Sequence, residues 1–438
     1  MSTLIKNIHI LTMDEEKTTY PDGYILIEGS DISSIGHMKD LPEKVKATEV
    51  IDGKQAIAMP GMINTHTHIG MIPFRSLGDD YPDRLRRFLF PLENECMTES
   101  LAYHSGKYAI AEMQLAGVTT FMDMYYFEDA VAKATDEMGS RAILGETVID
   151  FPTCDTTEAY GGLDYARQFI PKWLNHELIT PAIAPHATNT NSPEKLKEAA
   201  RLAEYYQVPI TMHVAEMDYE MAYFQEQNNL TPVGFLADIG ILSERLVAAH
   251  CIHLSDEDIH ILKKYNVKVA HCIGANTKSA KGVARVADLL KSEIPVGLGT
   301  DGPSSGNTLD LFTQMKLFAN FHKTNLKDRA AFPAVEIVER ATMGGAKVLG
   351  LEDKVGSLEI GKKADIVLVE TDSVNMFPIF DPYAALVYSA NASNVQDVFI
   401  NGQRKVKQKQ LNQENLKDLR RNLSEQMAAF ATSAKKRL

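Results

Sequence analysis

Eight short apolar runs, set apart by stretches long enough to be helices, constrain this chain more than any other feature. The first leads from Ala56-Ile57-Ala58-Met59 into Pro60-Gly61-Met62-Ile63-Asn64-Thr65-His66-Thr67-His68. The others are residues 119–124, 141–146, 180–186, 209–213, 245–250, 267–271 and 295–301. Strands of this length, alternating with helical segments such as 193–206, predict a parallel sheet with helical crossovers. Eight such units are the number that closes a TIM barrel, so the expected class is α/β with a (β/α)8 barrel. No repeat of roughly 20 to 50 residues interrupts the pattern.

The two ends of the chain have another texture. Residues 2–13 and 23–28 alternate in polarity, and Glu49-Val50-Ile51-Asp52-Gly53 runs into a turn dipeptide. Similar segments return at 364–369 and 395–402. Two all-β pieces at opposite ends predict one small β-sandwich, built from residues 1–58 and 359–410. That leaves 59–358 for the barrel and 411–438 for a polar amphipathic helix on the surface or in an oligomer contact.

Charge and cysteine usage exclude several function classes. A net charge of −13 over 438 residues argues against nucleic acid and anionic membranes as partners, since both call for clustered positive charge. Met1-Ser2-Thr3-Leu4-Ile5-Lys6 lacks a signal-peptide core, and no window approaches the ~18 apolar residues of a membrane span. Cys96, Cys154, Cys251 and Cys272 are scattered without a Cys-x-x-Cys pair, which fits reduced thiols in a cytoplasm.

The polar residues fall at telling places. His66 and His68 stand two apart on an extended backbone, so both side chains leave the same face. His186, His213, His250, His271 and Asp301 each end another run, so six of the eight runs end in His or Asp. The C-terminal strand ends form the active face of such barrels, so polar groups gathered there read as catalytic. One histidine at a strand end is an ordinary buried residue; six such ends make a poor coincidence. Neutral imidazoles with a carboxylate suit Zn2+, and the same donors accept Fe2+ or Mn2+. An ion of this kind lowers the pKa of a bound water from about 15.7 to near 7 and yields a hydroxide nucleophile. Glu216, three residues after His213, can deliver a proton to a substrate ring, although its position suits a solvated acid at a helix start equally well.

Pro60-Gly61-Met62-Ile63-Asn64-Thr65-His66-Thr67-His68, His213-Val214-Ala215-Glu216, Ala249-His250-Cys251-Ile252-His253 and Gly299-Thr300-Asp301-Gly302 closely resemble the amidohydrolase superfamily. Within it they look like the branch of methylthioadenosine/S-adenosylhomocysteine deaminases and triazine hydrolases. Gly361-Lys362-Lys363-Ala364-Asp365-Ile366-Val367 is similar to the family's returning strand, so the resemblance covers nearly the whole chain. It implies one divalent metal ion bound by His66, His68, His213 and Asp301, with Asp301 also taking a proton from the metal-bound water. Glu216 would protonate the ring nitrogen, and His250 would orient the hydroxide. His186 would face the ring, and Glu93 would bind a ribose diol. The implied activity is deamination of a small nitrogen heterocycle, adenosine-type nucleosides included, by a homo-oligomeric enzyme. A triazine-type hydrolase displacing chloride or an alkylamine is the alternative. A binding or scaffold protein with a structural metal is a third reading, but it leaves Glu216 and His250 without a role.

The chain also departs from that branch. Glu146 stands where the nucleoside deaminases have an arginine, and Tyr160-Gly161-Gly162-Leu163 replaces a loop carrying a second one, which makes S-adenosylhomocysteine a doubtful substrate. The loop after the first barrel strand lacks the usual tryptophan and carries Arg84, Arg86 and Arg87. These either bind an anionic substrate group or form a solvated face countering Asp79, Asp80 and Asp83. Cys272-Ile273 replaces the expected Asn-Pro, and Cys272 reads as a buried spectator more readily than as a reactive thiol.

Overall fold

The computed structural model describes Ser2–Leu438. The N-terminal strands are β1 (Ser2–Leu11), β2 (Thr19–Glu28), β3 (Asp31–His37), β4 (Glu49–Asp52) and β5 (Ile57–Pro60). The central ones are β6 (Met62–Thr67), β7 (Val118–Tyr125), β8 (Arg141–Val148), β9 (Ile179–Pro185), β10 (Ile210–Val214), β11 (Leu246–His250), β12 (Lys268–His271) and β13 (Val296–Leu298). The C-terminal ones are β14 (Ile366–Val369), β15 (Val395–Ile400), β16 (Gln403–Lys407) and β17 (Gln410–Leu411).

The expected pairing of the two chain ends is made by β5. Its four residues are all buried, and it lies parallel to β1 on one side and antiparallel to β14 on the other. The result is one nine-stranded sheet in the order β17-β16-β15-β14-β5-β1-β2-β3, with β4 added on β1. Ile5, Ile8, Ile10, Ile25 and Ile27 from the N-terminal strands share a core with Ile366, Leu368 and Phe399 from the C-terminal ones. Full burial of each aliphatic side chain contributes about 1.5–3 kcal/mol, so neither group of strands has its core without the other.

Strands β6 to β13 form the second sheet, hydrogen-bonded in chain order. The strand pairings from β8 through β13 are all parallel. Past β13 the Asp301 N–H donates to His66 O at 3.0 Å, bringing the last strand's continuation onto the first and nearly closing the barrel. The α/β class with a barrel and a sheet from both termini therefore holds. The helix expected at 193–206 spans Pro193–Tyr206, capped by Ser192 Oγ, which accepts from Lys195 N.

Compactness divides the chain elsewhere than the strand pattern does. One unit comprises residues 1–64, 111–120 and 310–414, and the other 65–110, 121–309 and 415–438. The helices Leu311–Leu326, Ala334–Ala341 and Met343–Leu349 fall in the first of these units. The single C-terminal helix expected at 411–438 is also corrected. Residues 410–411 are β17, and two helices follow, Leu416–Gln426 and Ala428–Arg437, meeting at Met427. Phe430 of the second helix is buried against Phe74 with ring centroids 4.6 Å apart, and Arg87 donates to Arg437 O at 3.1 Å. The tail is tied to its own chain. No helix among the described residues is long and apolar enough to cross a membrane.

Gly61, between β5 and β6, is required by space and not by backbone conformation. Its N–H donates to Asp365 O at 2.8 Å, and a Cβ there would lie 2.1 Å from Thr119 Oγ1. Gly61→Ala is expected to cost about 1–3 kcal/mol in denaturant unfolding. Adding Thr119→Gly should restore most of that loss; an unchanged deficit would locate the strain elsewhere.

Candidate active site

All the residues described below belong to the second compact unit. β6 carries His66, with His68 just beyond its end, and β10 carries His213. Two backbone carbonyls fix the rings: His68 Nδ1 donates to Met124 O at 2.6 Å, and His213 Nδ1 donates to His186 O at 2.6 Å. Nε2 of each ring is thereby the atom turned to the interior. Ligand atoms of His66, His68 and His213 lie within 4.8 Å of one another. Asp301 Oδ1 lies 3.3 Å from His68 Nε2.

This donor set fits a divalent cation. Burial holds His66 and His213 well below the ordinary imidazole range, reinforced by the neighbouring imidazoles, so both are neutral donors. Burial also disfavours a charged His68, but Asp301 and the Met124 carbonyl outweigh it and raise it to about 9. Asp301 is driven the other way, well below the carboxylate range, because its contacts with the histidines outweigh its burial. Three imidazoles and one carboxylate converging in a buried space are the donors expected of a catalytic zinc site, which keeps one position for water.

The strand ends carry strain at these positions. Ala215, His250, Cys251 and Asp301 all have φ between 48° and 72°, although none is glycine. Each such residue costs of order 1–3 kcal/mol, held in place by its surroundings. Glu220 is one of those supports: its carboxylate accepts from Ala215 N at 3.1 Å and Glu216 N at 2.9 Å. Thr67 Oγ1 is another, donating to Asp301 O at 3.1 Å.

The remaining expected residues gather beside the cluster. His250 lies with its ring centroid 5.4 Å from that of His66 and 5.3 Å from that of His213, and its Nδ1 contacts Asn276 Oδ1 at 2.8 Å. Glu216 Oε1 lies 3.7 Å from His250 Nε2 and accepts from Lys281 Nζ at 2.5 Å. Burial pushes the Glu216 carboxyl up, but His250, Lys281 and His213 outweigh it and lower it to about 2. The reading of Glu216 as a solvated acid is thereby displaced. His186 packs 5.0 Å from the His213 ring, and burial, with a smaller effect from His68, lowers it to about 4, so it is neutral. Glu93 accepts from Tyr125 Oη at 3.0 Å, and burial raises it to about 7.

Comparison with known proteins supplies the family. The model of the amidohydrolase family matches residues 57–405. The chain belongs to the amidohydrolase family. A curated relative, the 5-methylthioadenosine/S-adenosylhomocysteine deaminase 1 of Syntrophus aciditrophicus, is 38% identical over 413 residues, covering 94% of this chain and 93% of the relative. The crystal structure of an adenosine deaminase from Xanthomonas campestris with bound zinc superposes with a TM-score of 0.95 at 29% identity, covering 98% of both chains. The zinc complex of atrazine chlorohydrolase from Arthrobacter aurescens has a TM-score of 0.88 at 24% identity over 97% of this chain and 100% of that one, and shares the fold. The family membership and hydrolase class expected from the motifs are borne out.

Within this amidohydrolase, several residues singled out for other reasons are structural. Arg84 donates to Leu77 O at 2.6 Å and Phe74 O at 3.2 Å, also bonds Ser304 O, and pairs with Asp79. Arg87 lies over the Tyr81 ring at 4.4 Å, while Arg86 is exposed. Glu146 is fully buried and accepts from Glu128 N at 3.1 Å; burial, then Asp155, raises its carboxyl well above the usual range. Burial likewise raises the Cys272 thiol, which makes it an inert spectator. Reading the chain alone missed Lys281, Asn276 and Glu220. Only Glu220 had a local signal, an acid one helical turn after Glu216.

Arg84→Met is expected to lower unfolding stability by about 2 kcal/mol, because it leaves three buried carbonyls without their donor, while Asp79 keeps Lys278 as its other cation. The substrate KM of the folded fraction should stay the same. A raised KM with unchanged stability would restore the anion-binding role.

Proposed function

We propose that this amidohydrolase is a metal-dependent deaminase that replaces the exocyclic amine of an adenosine-type nucleoside by a carbonyl and releases ammonia. The observation that carries this reading is the second carboxylate, Glu216, held with His250 beside the His66–His68–His213–Asp301 donor set. A closed structural site has no use for an additional acid and an oriented imidazole. The relatives named as methylthioadenosine/S-adenosylhomocysteine deaminases support it.

His66, His68, His213 and Asp301 would hold one zinc ion. Bound there, a divalent metal acidifies a water and makes it nucleophilic at neutral pH. The chain's own residues then handle protons and position. Both carboxylates are ionised at rest, so each can accept one proton of the attacking water. Glu216 hands its proton to the ring nitrogen beside the attacked carbon, and Asp301 hands its own to the departing amine. One water therefore supplies the carbonyl oxygen, the new ring N–H and the third hydrogen of ammonia. His250, tethered at Nδ1 by Asn276, presents Nε2 to orient the nucleophile. The neutral His186 faces the ring, and Glu93 with Tyr125 receives the ribose hydroxyls.

The 5′ end of the nucleoside is read from Glu146. Where the resemblance expects an arginine, the chain buries a carboxyl that bonds the Glu128 backbone. That favours adenosine or methylthioadenosine over a substrate ending in an amino acid. Cytoplasmic action on a small soluble substrate belongs to the same proposal and is in keeping with four free cysteines.

Ammonia release by the zinc-loaded protein, over adenosine, methylthioadenosine, S-adenosylhomocysteine, guanine, cytosine and an aminotriazine, tests the assignment. The first two should be substrates, and Asp301→Asn should lower their kcat/KM by roughly 10²–10⁴-fold. Silence across the panel with zinc bound would move the reaction to a leaving group other than an amine.

A further inference from the structure

Lys281 occupies the site without a part in the chemistry described so far. Lys281 and three other residues close a ring of contacts. Lys281 Nζ donates to Glu216 Oε1 at 2.5 Å, and that oxygen lies 3.7 Å from His250 Nε2. His250 Nδ1 bonds Asn276 Oδ1 at 2.8 Å, and the Lys281 backbone N–H returns to Asn276 O at 2.9 Å. The lysine and the imidazole are thus registered on one asparagine, and both meet the same oxygen of Glu216. Ala280 at φ 55° and Gly282 at φ 126° bracket Lys281, so its backbone is a strained turn and not a free surface loop. Its side chain is only 20% exposed, and Glu216 is its one hydrogen-bond acceptor among the described residues.

The other groups facing Glu216 explain what the lysine adds. They are His250, His213, Asp301, Tyr219, His186 and Cys272, with Glu220 holding the Glu216 N–H from behind. His186 and His213 are neutral, Asp301 is an anion, and Tyr219 and Cys272 are neutral acids. Burial works against an ionised Glu216; His250 and then Lys281 oppose it, and of these Lys281 is the cation hydrogen-bonded to the carboxylate.

We propose that Lys281 is a positioning residue that keeps Glu216 an ionised carboxylate aimed at His250, so that Glu216 enters the reaction as a proton acceptor. Only the final step rests on the deaminase reading: Glu216 takes a proton from the attacking water and passes it to the ring nitrogen. A Glu216 already protonated at rest would have no room for the water's proton, and the relay would stall. A merely structural lysine would affect stability and leave the ionisation of Glu216 alone.

Acid titration of the zinc-loaded full chain by infrared spectroscopy tests this directly, with Glu216→Gln subtracted to isolate the Glu216 carboxyl band. In the unsubstituted protein Glu216 should remain a carboxylate below the ordinary glutamate range. In Lys281→Met it should protonate at least about one pH unit higher, and Lys281→Arg should restore the original behaviour. Lys281→Gln, which keeps most of the stem, serves as a second neutral variant should the methionine fail to fold. The acid limb of kcat for ammonia release should move upward by the same amount in the neutral variants, with KM within about twofold. Protonation of Glu216 at the same pH with and without the lysine overturns the inference, whatever the activity. A displaced titration without ammonia release from any substrate would sustain the role of Lys281 and contradict the deaminase reading instead.

Discussion

The site depends on one unfavourable arrangement, the convergence of buried lone pairs. His68 Nε2 and Asp301 Oδ1 are 3.3 Å apart, and donor atoms of His66, His68 and His213 crowd within 4.8 Å of one another. Such a set is costly in a low-dielectric interior unless a cation or a proton lies among the donors. The carbonyls of Met124 and His186 turn the rings so that the lone pairs cannot point away. The positive φ angles at Ala215, His250 and Asp301 bring each side chain inward at further local cost. A chain that spends stability in this way at adjacent strand ends has a binding partner for the donors, and the fold around them supplies the rigidity.

Much of this was legible in the residues. Strands carrying one chemical group at a fixed end leave a periodic mark, so His66, His68, His213, His250 and Asp301 could be placed at one rim of a barrel before any coordinates. The pairing of the two chain ends could be read from returning alternation, because a half-buried strand has to alternate. Tertiary partnership was not legible. Arg84 read as either an anion receptor or a solvated helix charge because only its charge is visible in sequence, whereas the carbonyls of Leu77, Phe74 and Ser304 that hold it are not. Lys281 lies 65 positions from Glu216 in a short turn with no periodicity, so nothing local announced their contact. The tail pattern was polar enough to read as one surface helix. The break at Met427 and the burial of Phe430 against Phe74 depend on a loop more than three hundred residues away.

The arrangement separates binding from proton handling. One set of donors, on β6, on β10 and past β13, is shaped for a metal. A second set, Glu216, His250, Asn276 and Lys281, is shaped to hold a carboxylate ionised and an imidazole in one tautomer. The buried Glu146 marks a third region, where the chain departs from the branch it resembles.

Zinc K-edge X-ray absorption on the zinc-loaded protein tests the central claim most directly, because the same interior contains a competing donor group, His66 with His250 and Cys272. Coordination by His66, His68, His213 and Asp301 predicts only nitrogen and oxygen scatterers, at about 2.0–2.2 Å, with imidazole features. A sulfur shell at about 2.3 Å would put the ion on Cys272 and contradict the account.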